Sequence, residues 1–185
     1  MMPELAMSIQ DIAENSVRAG ASLVGVSVTA DRGADTLTVV ITDDGCGMTP
    51  EQVAHVEDPF FTTRTTRKVG LGVPFFKQAA LGTGGSFRIR SEVGKGTEVT
   101  AVFRLNSIDR MPLGDLCGVL HTLITFHPDI DFLCEYRVDE RGFTLDTRQF
   151  REILGDVPLD APEVSRYIRE YLEENKRETD GGVLI

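Results

Sequence analysis

The stretch Ile41-Thr42-Asp43-Asp44-Gly45-Cys46-Gly47-Met48 decides how this chain is read. Leu37, Val39, Val40 and Ile41 lead into it as an apolar, largely β-branched run, so a strand is expected to deliver Asp43 at its end. A carboxylate fixed there can accept a hydrogen bond from an exocyclic amine. Gly45 and Gly47 let the backbone turn and approach a flat ligand without a side-chain clash. The same Asp-Gly pattern also closes plain turns. Three other stretches decide between the two readings.

Upstream, residues 3–19 predict a helix. Pro3 suits its first turn, and Leu5, Ile9, Ile12, Ala13 and Ser16 recur as one apolar stripe. Asp11 and Asn15 sit one helical turn apart, about a quarter turn from that stripe. They are either a functional pair or the helix's solvated side. Gly20 is placed to end the helix. Residues 23–29 and 36–42 predict two strands, antiparallel because the turn between them is short.

Downstream, Thr49, Pro50 and Gln52 spell a capping box that opens a short helix to about residue 56. Residues 62–68 then hold four threonines, three basic residues and no acid. Such a run is poor helix material and predicts a mobile loop, which leads into Gly70-Leu71-Gly72 and a helix from about Pro74 to Leu81. Residues 86–91 and 97–105 predict a second hairpin across Gly94-Lys95-Gly96. That turn lacks the spacing of a P-loop.

Residues 106–112 mark a boundary. Beyond it the pattern predicts an amphipathic helix from Leu113 to Phe126, a hairpin over 130–145, and helices at 147–154 and 162–176. The expected organisation is a first unit over 1–106, an α+β extension over 107–177, and a disordered tail over 178–185.

Bulk properties narrow the function. The net charge of −10 argues against direct nucleic-acid binding, which wants a basic face. No apolar run approaches a membrane span, and the N-terminus lacks the pattern of a secretory signal. Three cysteines without CxxC spacing read as reduced thiols in a cytoplasmic protein.

Taken together, Asp11-x-x-x-Asn15, Asp43-x-Gly45-x-Gly47, the basic loop into Gly70-x-Gly72, and Gly94-x-Gly96-Thr97 resemble the GHKL superfamily of gyrase, histidine kinases and MutL. Asp58-Pro-Phe-Phe-Thr-Thr-Arg64 with Gly70-Leu-Gly-Val73 is most similar to the histidine-kinase and anti-sigma-factor ATPase domains, and the first helix to the mismatch-repair branch. The resemblance covers residues 3–105. It implies a Bergerat-type α+β fold, a two-layer sandwich with a mixed, mostly antiparallel sheet and helices on one face. It also implies ATP and Mg²⁺ as cofactors.

On that resemblance, Asn15 would offer a hard oxygen to Mg²⁺, and Asp11 would orient or deprotonate the attacking group. Relatives often carry Glu at that position, and Glu14 is the second candidate. Asp43 would accept from the adenine amine and Thr97 would support a water there. Gly70, Leu71 and Gly72 would bring backbone N–H groups to the phosphates, with Thr62, Thr63, Arg64, Arg67 and Lys68 as loop partners. His55, His121 and His127 lie outside any acceptor motif, and the chain starts at the first site helix with no room for an acceptor hairpin. The expected function is therefore a stand-alone kinase or ATPase acting on a partner protein held by 107–177. The alternative is a nucleotide-dependent binding switch. A third reading, an ATP-dependent partner of a DNA enzyme, rests on the first helix alone.

Overall fold

The computed structural model describes residues 4–60 and 71–185. Its elements run α1 (Leu5–Arg18), β1 (Leu23–Asp31), β2 (Thr36–Asp43), α2 (Pro50–Val56), α3 (Gly72–Gly82), β3 (Ser86–Glu92), β4 (Gly96–Arg104), α4 (Leu116–Phe126), β5 (Asp131–Val138), β6 (Arg141–Asp146), α5 (Thr147–Leu154) and α6 (Pro162–Asp180). The six strands form one sheet in the order β3-β4-β2-β1-β5-β6. All neighbours are antiparallel except β1 and β5, which are parallel. Helices α3, α1, α4 and α6 form a layer across one face of the sheet. This is the expected α+β architecture.

Strand periodicity explains why that face is the buried one. On β1, Val24, Val26, Val28 and Ala30 alternate with partly exposed residues, and on β2 Leu37, Val39 and Ile41 do the same. The register aligns them into rows. Phe103, Leu37, Ala30 and Val138 share one row, and Ala101, Val39, Val28 and Tyr136 the next. Val99, Ile41, Val26 and Cys134 make a third. The stripe of α1 (Leu5, Ile9, Ile12, Ala13) joins the same core.

The C-terminal extension continues this sheet. Leu23 to Ala30 on β1 pairs with Asp131 to Val138 on β5, and residues of α4 and α6 belong to the same apolar cluster. The first-turn N–H groups of Leu5 and Ala6 donate to the carbonyls of Pro112 and Leu113.

The expected disordered tail is corrected by the structure. Helix α6 runs on to Asp180, which is buried, and Gly181 closes it in the left-handed conformation. The Asp180 carboxylate accepts from Tyr136 of β5 at 3.0 Å and from Lys176 at 2.6 Å. The carbonyl of Ile185 accepts from the Leu113 N–H at 2.8 Å. Polar composition suggested a frayed end, but these long-range bonds hold it. Among the described residues, no helix is long and apolar enough to cross a membrane.

Candidate functional site: a polar row beneath the helix layer

A fourth row follows the three apolar ones on the helix-facing side of the sheet. Ser91 of β3 lies opposite Thr97 of β4, and Thr97 opposite Asp43 of β2. The row is apolar again on the next two strands, at Val24 of β1 and Phe132 of β5. Asp43 and Thr97 line a cavity of about 440 Å³ closed on the helix side by α1 and the start of α3. Asp11, Asn15, Ser16 and Arg18 reach it from α1, and Leu71 and Gly72 from α3. Its walls are otherwise apolar, including Ile41, Met48, Val56, Phe75, Ile89 and Val99.

Asp43 is held from two sides. Its Oδ2 accepts from the Ser16 hydroxyl at 2.6 Å, and its Oδ1 from the Gly45 N–H at 2.9 Å. A carboxylate has about four acceptor sites, so capacity remains for a ligand donor. Asp44 turns outward instead. Burial works against its ionisation, but the Ser22 hydroxyl and the Leu23 and Ser22 N–H groups outweigh that and hold it below the usual carboxylate range. This pins the end of β2 to the start of β1.

The two glycines after Asp43 serve backbone packing as much as ligand approach. A Cβ on Gly47, which has φ +68°, would strike the Glu92 carbonyl. One on Gly45 would come within 2.8 Å of Ala19 Cβ. The loop is thereby pressed between α1 and the β3–β4 turn, where the Gly94 N–H donates to the Cys46 carbonyl at 2.8 Å. Helix α2 begins with the expected capping box: Thr49 accepts from the Gln52 N–H, and Gln52 Oε1 from the Thr49 N–H.

On α1, Asp11 faces the cavity beside Gly72, whose Cβ would meet the Asp11 carboxylate at 3.3 Å. Desolvation raises the Asp11 pKa; nearby Arg18 opposes this and Glu14 adds to it. Glu14 itself is turned to the extension, accepting at 3.0 Å from His127. The geometry thus brings Asp11, and not Glu14, to the cavity. The Asn15 Oδ1 accepts from Arg18 at 2.6 Å.

Sequence reasoning passed over three of these residues. Ser16 reads as a small member of the apolar stripe and Ser91 as a strand end, and Arg18 is not singled out. For Ser91 the signal was available: a hairpin across Gly94-Lys95-Gly96 puts it opposite Thr97. The candidates Thr62, Thr63, Arg64, Arg67, Lys68 and Gly70 lie outside the described residues. His121 Nε2 bonds Ser165, so like His127 it has a structural partner. Among the described residues no group of three or more His, Cys, Asp or Glu is arranged to hold a metal.

Comparison with known proteins agrees with this architecture. The family model described as histidine kinase-, DNA gyrase B-, and HSP90-like ATPase matches residues 3–107. A putative sensor protein of Shewanella frigidimarina is 29% identical over 108 residues, which is 57% of this chain and 16% of that protein. The sensor protein kinase FleS of Pseudomonas aeruginosa is 34% identical over 101 residues, 55% of this chain and 25% of that one. The chain therefore spans a quarter or less of the length of these relatives. The crystal structure of the N-terminal domain of a DNA repair protein shares the fold, with a TM-score of 0.55 at 12% identity over 78% of this chain and 52% of that one. With its residues 3–107 matched, this chain belongs to the family of histidine kinase-, DNA gyrase B- and HSP90-like ATPases.

Proposed function

We propose that the chain binds ATP in the cavity at Asp43 and uses it on a partner protein held through residues 107–177, as a kinase or ATPase. The observation that carries this is the polar row. An acceptor is fixed at the end of an otherwise apolar strand face, in a cavity whose remaining walls suit a flat ring. The residues present fit a purine nucleotide. Asp43 retains lone pairs for an exocyclic amine, Ile41, Val56 and Ile89 offer apolar wall, and the eleven-residue helix α3 directs its N-terminus to the cavity for an anion.

Bound ATP would supply a transferable phosphoryl group, its charge spread by Mg²⁺. Around it, Asp43 accepts from the adenine amine, and Asp11 orients or takes the proton of the attacking hydroxyl. Its raised pKa suits a base. Asn15 is the metal-ligand candidate, and its carbonyl would be available to a metal once released from the Arg18 bond. Leu71 and Gly72 bring the α3 N–H groups, while Arg64, Arg67, Lys68, Thr62, Thr63 and Gly70 remain candidate phosphate partners. A cytoplasmic setting belongs to the proposal, in keeping with three free cysteines.

The switch reading has its own support. The extension grips α1 at both ends, through Leu5 and Ala6 and through the Glu14–His127 pair. A ligand that shifts α1 would be felt in 107–177. Incubation with ATP labelled on its terminal phosphate, with Mg²⁺, alone and with cell extract, tests both. Label on an extract protein supports the kinase, free phosphate alone the ATPase, and binding without either the switch. Asn15→Ala is expected to abolish Mg-ATP turnover; turnover at the wild-type rate would refute the site assignment.

A further inference from the structure

The hydroxyl of Ser91 has no capacity left over. It accepts from the Met48 N–H at 2.8 Å, touches the Gly96 carbonyl at 3.0 Å, and lies 2.8 Å from Thr97 Oγ1. A hydroxyl owns one hydrogen and two lone pairs. The Gly96 carbonyl can only accept, so the Ser91 hydrogen goes there. Met48 fills one lone pair. The contact with Thr97 is then donated by Thr97, and uses its only hydrogen. The Thr97 oxygen turns lone pairs alone to the cavity it lines. Next to it, Ser16 spends its hydrogen on Asp43, and Asp43 itself can only accept.

We propose that Ser91 is a specificity-determining positioning residue. By fixing the Thr97 hydroxyl as an acceptor, it leaves the side chains of the polar row with no donor to offer a ligand. An exocyclic amine set against that row is held there, and a carbonyl set against it is refused. This rests on the reading of the cavity as an adenine site and sharpens it. Ser91 acts through Thr97 and needs no contact with the ligand.

The test uses ATP and inosine triphosphate, in which the amine becomes a carbonyl and the adjoining ring nitrogen gains a hydrogen, titrated by calorimetry with Mg²⁺. The wild type is expected to prefer ATP by about 100-fold. In Ser91→Ala the Thr97 hydroxyl is free to turn its hydrogen to a carbonyl, and the preference falls by about tenfold, chiefly through tighter inosine triphosphate binding. Ser91→Thr keeps a hydroxyl and restores it. Thr97→Val also lowers the preference, and adding Ser91→Ala to it changes nothing more, because Ser91 acts only through Thr97. An unchanged preference in Ser91→Ala, an equal loss for both nucleotides, or additivity with Thr97→Val overturns the proposal. If Ser91→Ala does not fold, Thr97→Val with its preference intact overturns it. A wild type that binds neither nucleotide removes the adenine reading itself, and the proposal with it.

Discussion

The three apolar rows of the sheet and the polar row beyond them are built on the same strands by the same alternation. Thr97 is followed by Val99, Ala101 and Phe103 on one face of β4, and on the antiparallel β2 Leu37, Val39 and Ile41 lead up to Asp43. What changes is the cover. The apolar rows lie under helices and are buried to within 4% exposure. The polar row lies where α1 and α3 part around the cavity, and its groups are held by hydrogen bonds instead. On the proposed reading of the cavity, stability and recognition divide along the strand, one register step apart. Substitutions in one row should therefore leave the property of the other intact.

The largest effect is expected from the apolar side. Phe103→Ala removes a fully buried ring that packs 5.4 Å from Phe76. It should cost about 3–5 kcal/mol in denaturant unfolding. A loss below about 1 kcal/mol would mean these rows are not the core. Asp11→Asn should act on the other side of the divide, lowering turnover by about 10²–10⁴ while ATP binding stays close to wild type. The pH dependence has a defined sign. The folded pKa of Asp11 lies above its unfolded value, so the folded state binds the proton more tightly and stability falls as pH rises between the two. Asp11→Asn should therefore melt no lower than wild type at neutral pH, and wild-type turnover should appear as pH rises through the raised value. Turnover that survives the substitution would make Asp11 merely positional.

The smallest effect belongs to the contact between α1 and the extension. Glu14→Gln removes the charge of a partly exposed pair with His127 and should change stability by less than about 1 kcal/mol. On the switch reading it should nevertheless alter how nucleotide affects partner binding. A partner affinity with the same nucleotide dependence in wild type and variant would leave the pair without that role.

Much of this was legible in the sequence because it is local. The capping box at Thr49 and Gln52, the strand that delivers Asp43 and the hairpin at Gly94–Gly96 all follow from residues near one another. The parallel pairing of β1 with β5 joins residues about a hundred positions apart, with no short turn to announce it. The order of the tail depends on Asp180 meeting Tyr136, again a distant contact. Ser16 was hidden because a small hydroxyl inside an apolar stripe looks like filler until Asp43 is seen beside it. Likewise, the sequence places Asp11 and Glu14 on one helix as rivals, and only the position of His127 separates them.

The most direct test of the polar row as the nucleotide-reading element is ATP titration of Asp43→Asn by calorimetry, with the unfolding midpoint measured alongside. The substitution replaces a pure acceptor with a group that also donates. The account predicts an affinity loss of about 10–100-fold with the apolar rows, and so the fold, retained. Equal ATP affinity in the folded variant would contradict it.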